Sequence, residues 1–181
     1  FWDAGFILGS LVAALAQGAA LGALLQGILV DEGARSFAGG PMDWLTPFSM
    51  LTALATAIGY CLLGATWLVL KTEGPMNRRA RLLARLFGAA TVALIGVVSF
   101  WTPFLQEGYY NRWFVGLGII LAVLVAGAVL WTAWKLWTSL ADETRDTPPF
   151  LWSLALFGLC FIGLGVCMWP YVVPREVTIF E

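Results

Sequence analysis

Five long stretches of this 181-residue chain carry no charge at all: 4–30, 44–70, 86–106, 113–134 and 147–174. They run to 27, 27, 21, 22 and 28 residues, each above the roughly 18 apolar residues that mark a membrane-crossing helix. At about 1.5 Å per residue even the shortest reaches about 31 Å, enough to cross a hydrocarbon core of about 30 Å. Such segments are stable only as lipid-embedded helices, because oil offers the peptide backbone no substitute for its own hydrogen bonds.

Composition agrees. Hydrophobic residues make up 60% of the chain and charged ones 12%, against roughly 45–50% and about 25% in a soluble domain. The sequence therefore predicts an all-α integral membrane protein: about five transmembrane helices in an antiparallel bundle. The expected spans are 4–30, 46–70, 86–106, 113–137 and 150–171, within a single transmembrane region covering 1–181. A net charge of −1 gives no basic face for nucleic acid. The chain opens on Phe1-Trp2-Asp3 rather than Met, and its first apolar run is too long for a signal-peptide core. The expectation is a piece of a longer protein.

Basic residues set the orientation, since cytoplasmic loops carry the excess of Lys and Arg. Alternating the connections places Lys71, Arg78, Arg79, Arg81, Arg85, Lys135 and Arg145 on one side, with Arg35, Arg112 and Arg175 on the other. The seven-residue side is expected to be cytoplasmic. Trp2, Trp44, Trp67, Trp101, Trp113, Trp152, Trp169, Tyr109, Tyr110 and Tyr171 fall near the ends of the runs, at the headgroup level that indole and phenol rings prefer. Trp131, Trp134 and Trp137 cluster around Lys135, whose stem can lie along the helix while its ammonium stays at the interface.

Few residues are suited to chemistry. There is no histidine, the common axial ligand of haem in membrane redox proteins. Cys61, Cys160 and Cys167 lie inside spans and read as small hydrophobes rather than metal ligands or disulfide partners. No phosphate-cradling G-x-x-x-x-G-K-[ST] loop occurs, which argues against an ATP-driven pump.

Polar groups inside or beside the spans are the remaining candidates. Gln17 and Gln26 are nine residues apart on the first span, about half a turn out of phase, and read as interhelical hydrogen-bonding groups. Contact with quinone, water or substrate is the sharper alternative. Gly5 and Gly9, then Gly18 and Gly22, form small-residue stripes that let a second helix approach closely. Thr52, Thr56 and Tyr60 share one face of the second span and read as packing residues. Asp3 fits the start of a helix, where a carboxylate favours the dipole, with proton relay as the alternative. Arg78, Arg79, Arg81 and Arg85 read as a topology signal and an anchor to anionic headgroups, with subunit docking as the alternative.

Certain strings go further than physics alone. Trp2-Asp3-x-Gly5, Leu24-Leu25-Gln26-Gly27, Asp43-Trp44-Leu45-Thr46-Pro47-Phe48, Gly64-Ala65-Thr66-Trp67-Leu68, Lys71-Thr72-Glu73-Gly74 and Trp169-Pro170-Tyr171-Val172-Val173-Pro174 with Thr178-Ile179 resemble, in order, subunit II of the cytochrome bd-type ubiquinol oxidases. The wording is nearest to the cyanide-insensitive branch. The resemblance implies an internal to C-terminal fragment of a larger multi-span subunit, in a bacterial inner membrane. It implies a partner, subunit I, that carries haem b, haem d and the quinol site, while this chain binds no metal or haem and carries no catalytic residue. The complex would oxidise quinol and reduce dioxygen to water with protons drawn from the cytoplasm. Some members hold a structural ubiquinone in this subunit, and no residue here places one. The alternative is a segment of a secondary transporter. It is disfavoured by the absence of charge in mid-span and by Pro103 and Pro170 lying near span ends.

Overall fold

A computed structural model of the chain describes residues 2–27, 30–31, 36–37, 39–105, 117–168, 171–173 and 177–178. Arg35, Arg112, Arg175, Tyr109, Tyr110, Trp113 and Trp169 lie outside the described residues, as do the side chains of Cys167 and Tyr171.

The described residues form five long helices: α1 Trp2–Gln26, α2 Pro47–Lys71, α3 Gly74–Trp101, α4 Leu117–Ala141 and α5 Thr147–Met168. A 3-10 turn, Thr102–Phe104, continues α3. Two short antiparallel ladders pair Val30–Asp31 with Ser36–Phe37 and Tyr171–Val173 with Val177–Thr178. All five helices are long and apolar enough to cross a membrane, and the protein is a multi-pass, all-α membrane protein. The third helix starts at Gly74, well before the expected span start at 86. Arginine and alanine are strong helix formers, so the basic segment is a rigid extension of the span.

Helix ends follow local chemistry. Gly27, at φ 86°, donates its N–H to the Leu24 carbonyl and stops α1 in the left-handed conformation glycine tolerates. At the start of α2 the Thr46 N–H donates to Ser49 Oγ at 2.9 Å, and the Ser49 N–H donates to Thr46 Oγ1 at 3.0 Å. This is a reciprocal capping box with Pro47 at the first helical position, where no N–H is needed. Pro148 and Pro149 in the first turn of α5 use the same allowance.

The helices divide into two compact units, residues 1–57 with 166–181, and residues 58–165. In the first, α1 buries Ala14, Gly18, Ala19, Gly22 and Leu25. A methyl group on Gly18 would come within 2.6 Å of Ala53 Cα and the Thr52 carbonyl, so the backbones touch. The Thr52 hydroxyl exploits this approach and lies 2.8 Å from the Gly18 carbonyl. Gly5 and Gly9, by contrast, have no neighbour within 4 Å. Of the two small-residue stripes, only the second packs against this chain's described residues.

In the second unit, Leu62, Ala65, Ala84, Leu136, Leu140 and Leu156 form the core. Thr66 and Ser153 bond across α2 and α5 at 2.9 Å, fully buried. Both also reach carbonyls of their own helices, Leu62 and Phe150, so neither hydroxyl is orphaned when its partner is removed. A double-mutant cycle with Thr66→Val and Ser153→Ala is expected to give a coupling of about 0.6 kcal/mol, typical of interhelical hydrogen bonds in membranes. Detergent-unfolding measurements showing additive single effects would contradict it. Elsewhere large apolar groups face outward, including Trp2, Phe6, Ile7 and Leu8 on α1 and Ile120, Val123 and Leu124 on α4. A soluble monomer does not tolerate so much exposed apolar surface; a lipid or protein neighbour covers it.

Candidate functional site

Each helix leaves its last carbonyls and first N–H groups without partners. In the second unit four helix ends solve this jointly. The α2 end is met by Asn77 of α3, whose Nδ2 donates to the carbonyls of Val69 at 2.8 Å and Thr72 at 2.9 Å. The α4 end is met by two arginines of α3. Arg81 Nη1 lies 3.3 Å from the carbonyls of both Ser139 and Leu140, and Arg85 Nη2 donates to Leu140 at 3.0 Å. Cations at a helix C-terminus are favoured by the dipole as well as by the bonds.

The start of α5 closes the arrangement. Asp146, just before Thr147, accepts from Arg81 Nη2 at 2.7 Å and from Asn77 Nδ2 at 2.9 Å. Arg81 also donates from Nη2 to the Arg145 carbonyl and from Nε to Asn77 Oδ1. Its side chain is 4% exposed and that of Asp146 43%, so the ion pair is buried on the arginine side only. A guanidinium can serve this many acceptors because its donors form a rigid planar fork.

This is a polar joint: one residue of α3 ties together the ends of α4 and α5, and through Asn77 the end of α2. Its donors all point at protein acceptors. The geometry supports holding the helices at their ends. Beside it, the Thr144 hydroxyl and N–H bond to Asp142 and hold its carboxyl below the usual carboxylate range, in a local turn typical of Asp.

The expected site residues separate. Arg81 is buried in the joint with its guanidinium on protein acceptors, Arg85 is half-buried, and Arg78 and Arg79 are exposed. Asp3 is exposed in the first turn of α1. Gln17 is exposed, while Gln26 is half-buried and accepts from the Thr46 hydroxyl at 2.5 Å. That bond links the end of α1 to the capping box of α2. Asp3, Gln17 and Gln26 stand at three levels of α1, 14 and nine residues apart. Asn77 and Asp146 were missed. Their signal is faint: an acidic residue directly before Thr147-Pro148-Pro149, and an amide opening an arginine cluster.

Among the described residues no group of three or more His, Cys, Asp or Glu is placed to hold a metal ion. Cys61 and Cys160 are free thiols on exposed helix surface.

Comparison with known proteins gives these features a family. The model for cytochrome bd terminal oxidase subunit II matches residues 1–181. Cytochrome bd-I ubiquinol oxidase subunit 2 of Escherichia coli (strain K12) is 26% identical, over 97% of this chain and 53% of the relative. A probable cytochrome oxidase subunit 2 of Haemophilus influenzae is 23% identical with the same coverage. The chain thus spans about half the length of the curated relatives it matches. With residues 1–181 matched from end to end, the chain belongs to the cytochrome bd terminal oxidase subunit II family.

Proposed function

We propose that this chain acts within a bd-type quinol:dioxygen oxidoreductase as its haem-free subunit II, in a bacterial inner membrane. Its task is to pack against and stabilise a subunit I that carries haem b and haem d. The observation that carries this reading is the family match over the whole chain. Two features support the division of labour. The sequence contains no histidine to serve as an axial haem ligand, and the polar joint is built to fix helices, not to bind a reactant. Outward apolar faces on α1 and α4 offer surface for a partner subunit as well as for lipid. The basic end, with Lys71, Arg78, Arg79 and Arg85, faces the cytoplasm in this reading.

The complex would oxidise ubiquinol and reduce dioxygen to water. No step of that reaction is assigned to a residue of this chain, and any ubiquinone held by it would serve structure. Family membership sets the transporter reading aside.

Deleting the gene for this subunit tests the proposal. Membranes from the deletion strain are expected to lose most haem d absorbance and quinol oxidase activity, and a plasmid copy should restore both. Unchanged spectra with unchanged oxygen consumption would overturn the stabilising role.

A further inference from the structure

Two tryptophan–lysine groups stand on either side of α5. On α2 the Lys71 ammonium lies 5.0 Å from the ring centre of Trp67, and that indole meets Phe150 of α5 edge-on, with ring centres 5.2 Å apart. On α4 the Lys135 ammonium lies 5.1 Å from the ring centre of Trp134 and 5.8 Å from that of Trp131. Trp131 in turn meets Trp152 of α5 edge-on at 5.2 Å. Each cation is therefore one indole away from α5.

The outer side of α5 lies between the two groups. Ser153 and Leu156 are buried, while Leu151, Leu154, Ala155 and Gly158 are exposed. At 3.6 residues per turn those four fall within an arc of about 100°, opposite the buried side. A methyl group added at Gly158 would meet nothing within 4 Å. The strip is apolar along its length and calls for a hydrocarbon neighbour.

The flanking cations set what that hydrocarbon carries. An indole face attracts an ammonium without cancelling its charge. Among the described residues the one ion pair is Arg81–Asp146, so no carboxylate matches either lysine. Of the other acids at this end, Asp142 is held in its own turn by Thr144, and Glu73 and Glu143 are exposed in the connections between helices. Lys71 closes α2, and Lys135 stands six residues before the end of α4, about 9 Å along the helix. That is the interfacial level where tryptophan and lysine collect. A zwitterionic lipid brings its own cation to these two ammonium groups, whereas clustered basic residues at this level favour anionic headgroups. We propose that the outer face of α5 binds an anionic phospholipid, its acyl chains along Leu151 and Leu154 and its head drawn to Lys71 and Lys135. The site does not depend on the oxidase assignment.

The test uses the full chain with whatever subunits accompany it from its native membrane, reconstituted in phosphatidylcholine nanodiscs doped with phosphatidylglycerol. Bound lipids are then counted by native mass spectrometry. Wild type is expected to retain phosphatidylglycerol selectively. Lys71→Gln and Lys135→Gln should each cut that preference about fivefold, corresponding to about 1 kcal/mol per basic residue near the surface. Lys135→Arg keeps the charge and should keep most of the preference. Arg79→Gln removes an exposed cation about half a turn round α3 from buried Arg81 and should leave the preference unchanged. Equal retention of both lipids by wild type would overturn the proposal. So would selectivity that survives both lysine variants, or an equal loss from Arg79→Gln, which would reduce the effect to the general surface charge. A photo-crosslinking residue placed at Leu154 should capture lipid; capture of another subunit there would show that protein covers this face and would also overturn it.

Discussion

Replacing Arg81 with alanine is expected to destabilise the protein by about 3 kcal/mol. Breaking a buried ion pair by removing one partner costs about 3–5 kcal/mol when the other charge is left in the interior. Here Asp146 is 43% exposed and can be rehydrated, which points to the low end. The loss does not stop at the ion pair, however. The carbonyls of Ser139 and Arg145 lose a donor, as does Asn77 Oδ1, while the Leu140 carbonyl keeps Arg85; acceptors left unsatisfied in the interior carry their own penalty of about 1–3 kcal/mol. Arg81→Lys keeps the charge but not the fork, so it should recover only a minor part. Asp146→Asn, with an acceptor oxygen retained, should cost about 1 kcal/mol. Thermal unfolding in detergent ranks the three variants. If Arg81→Ala and Asp146→Asn proved equally mild, the joint would not be holding the helix ends.

The second large effect belongs to Gly18. Substitution by leucine should cost about 3 kcal/mol, at the upper end of overpacking penalties. The added Cβ meets backbone, Ala53 Cα and the Thr52 carbonyl, which cannot rotate aside as a side chain would. Separating α1 from α2 also removes the hydrogen bond from Thr52 to the Gly18 carbonyl. Gly5→Leu is the matched control, since nothing approaches Gly5 within 4 Å, and should change stability by no more than about 0.5 kcal/mol. Equal unfolding midpoints for the two variants in detergent would show that α1 and α2 do not meet at Gly18.

The two results bear on what could be read from residues alone. The spans were plain because water exclusion acts on every residue of a helix at once, and a missing charge is visible without any partner. The Gly18–Gly22 contact was foreshadowed by spacing, yet Gly5 and Gly9 carry the same spacing and meet no neighbour. A helix surface reports that close approach is permitted, and the partner's position decides whether it happens. Arg81 and Arg85 illustrate a different limit. An arginine at a membrane boundary looks the same in sequence whether its fork faces lipid phosphate or a neighbouring helix end. Only the return of α4 and α5 to the same level, more than 50 residues later, supplies the acceptors that turn Arg81 inward. Asn77 and Asp146 stayed hidden for the same reason: each satisfies backbone groups on elements remote in sequence.

The connection between α2 and α3 is only Thr72 and Glu73, followed by Gly74 at φ 64° and Pro75. So short a link has no slack to let one helix settle in the bilayer while the other waits outside it. The two helices are therefore tied as a single hairpin, with the arginines of α3 beginning four residues after the elbow glycine. Lengthening that elbow with a flexible insert would loosen the tie between the two helices without touching any residue of either.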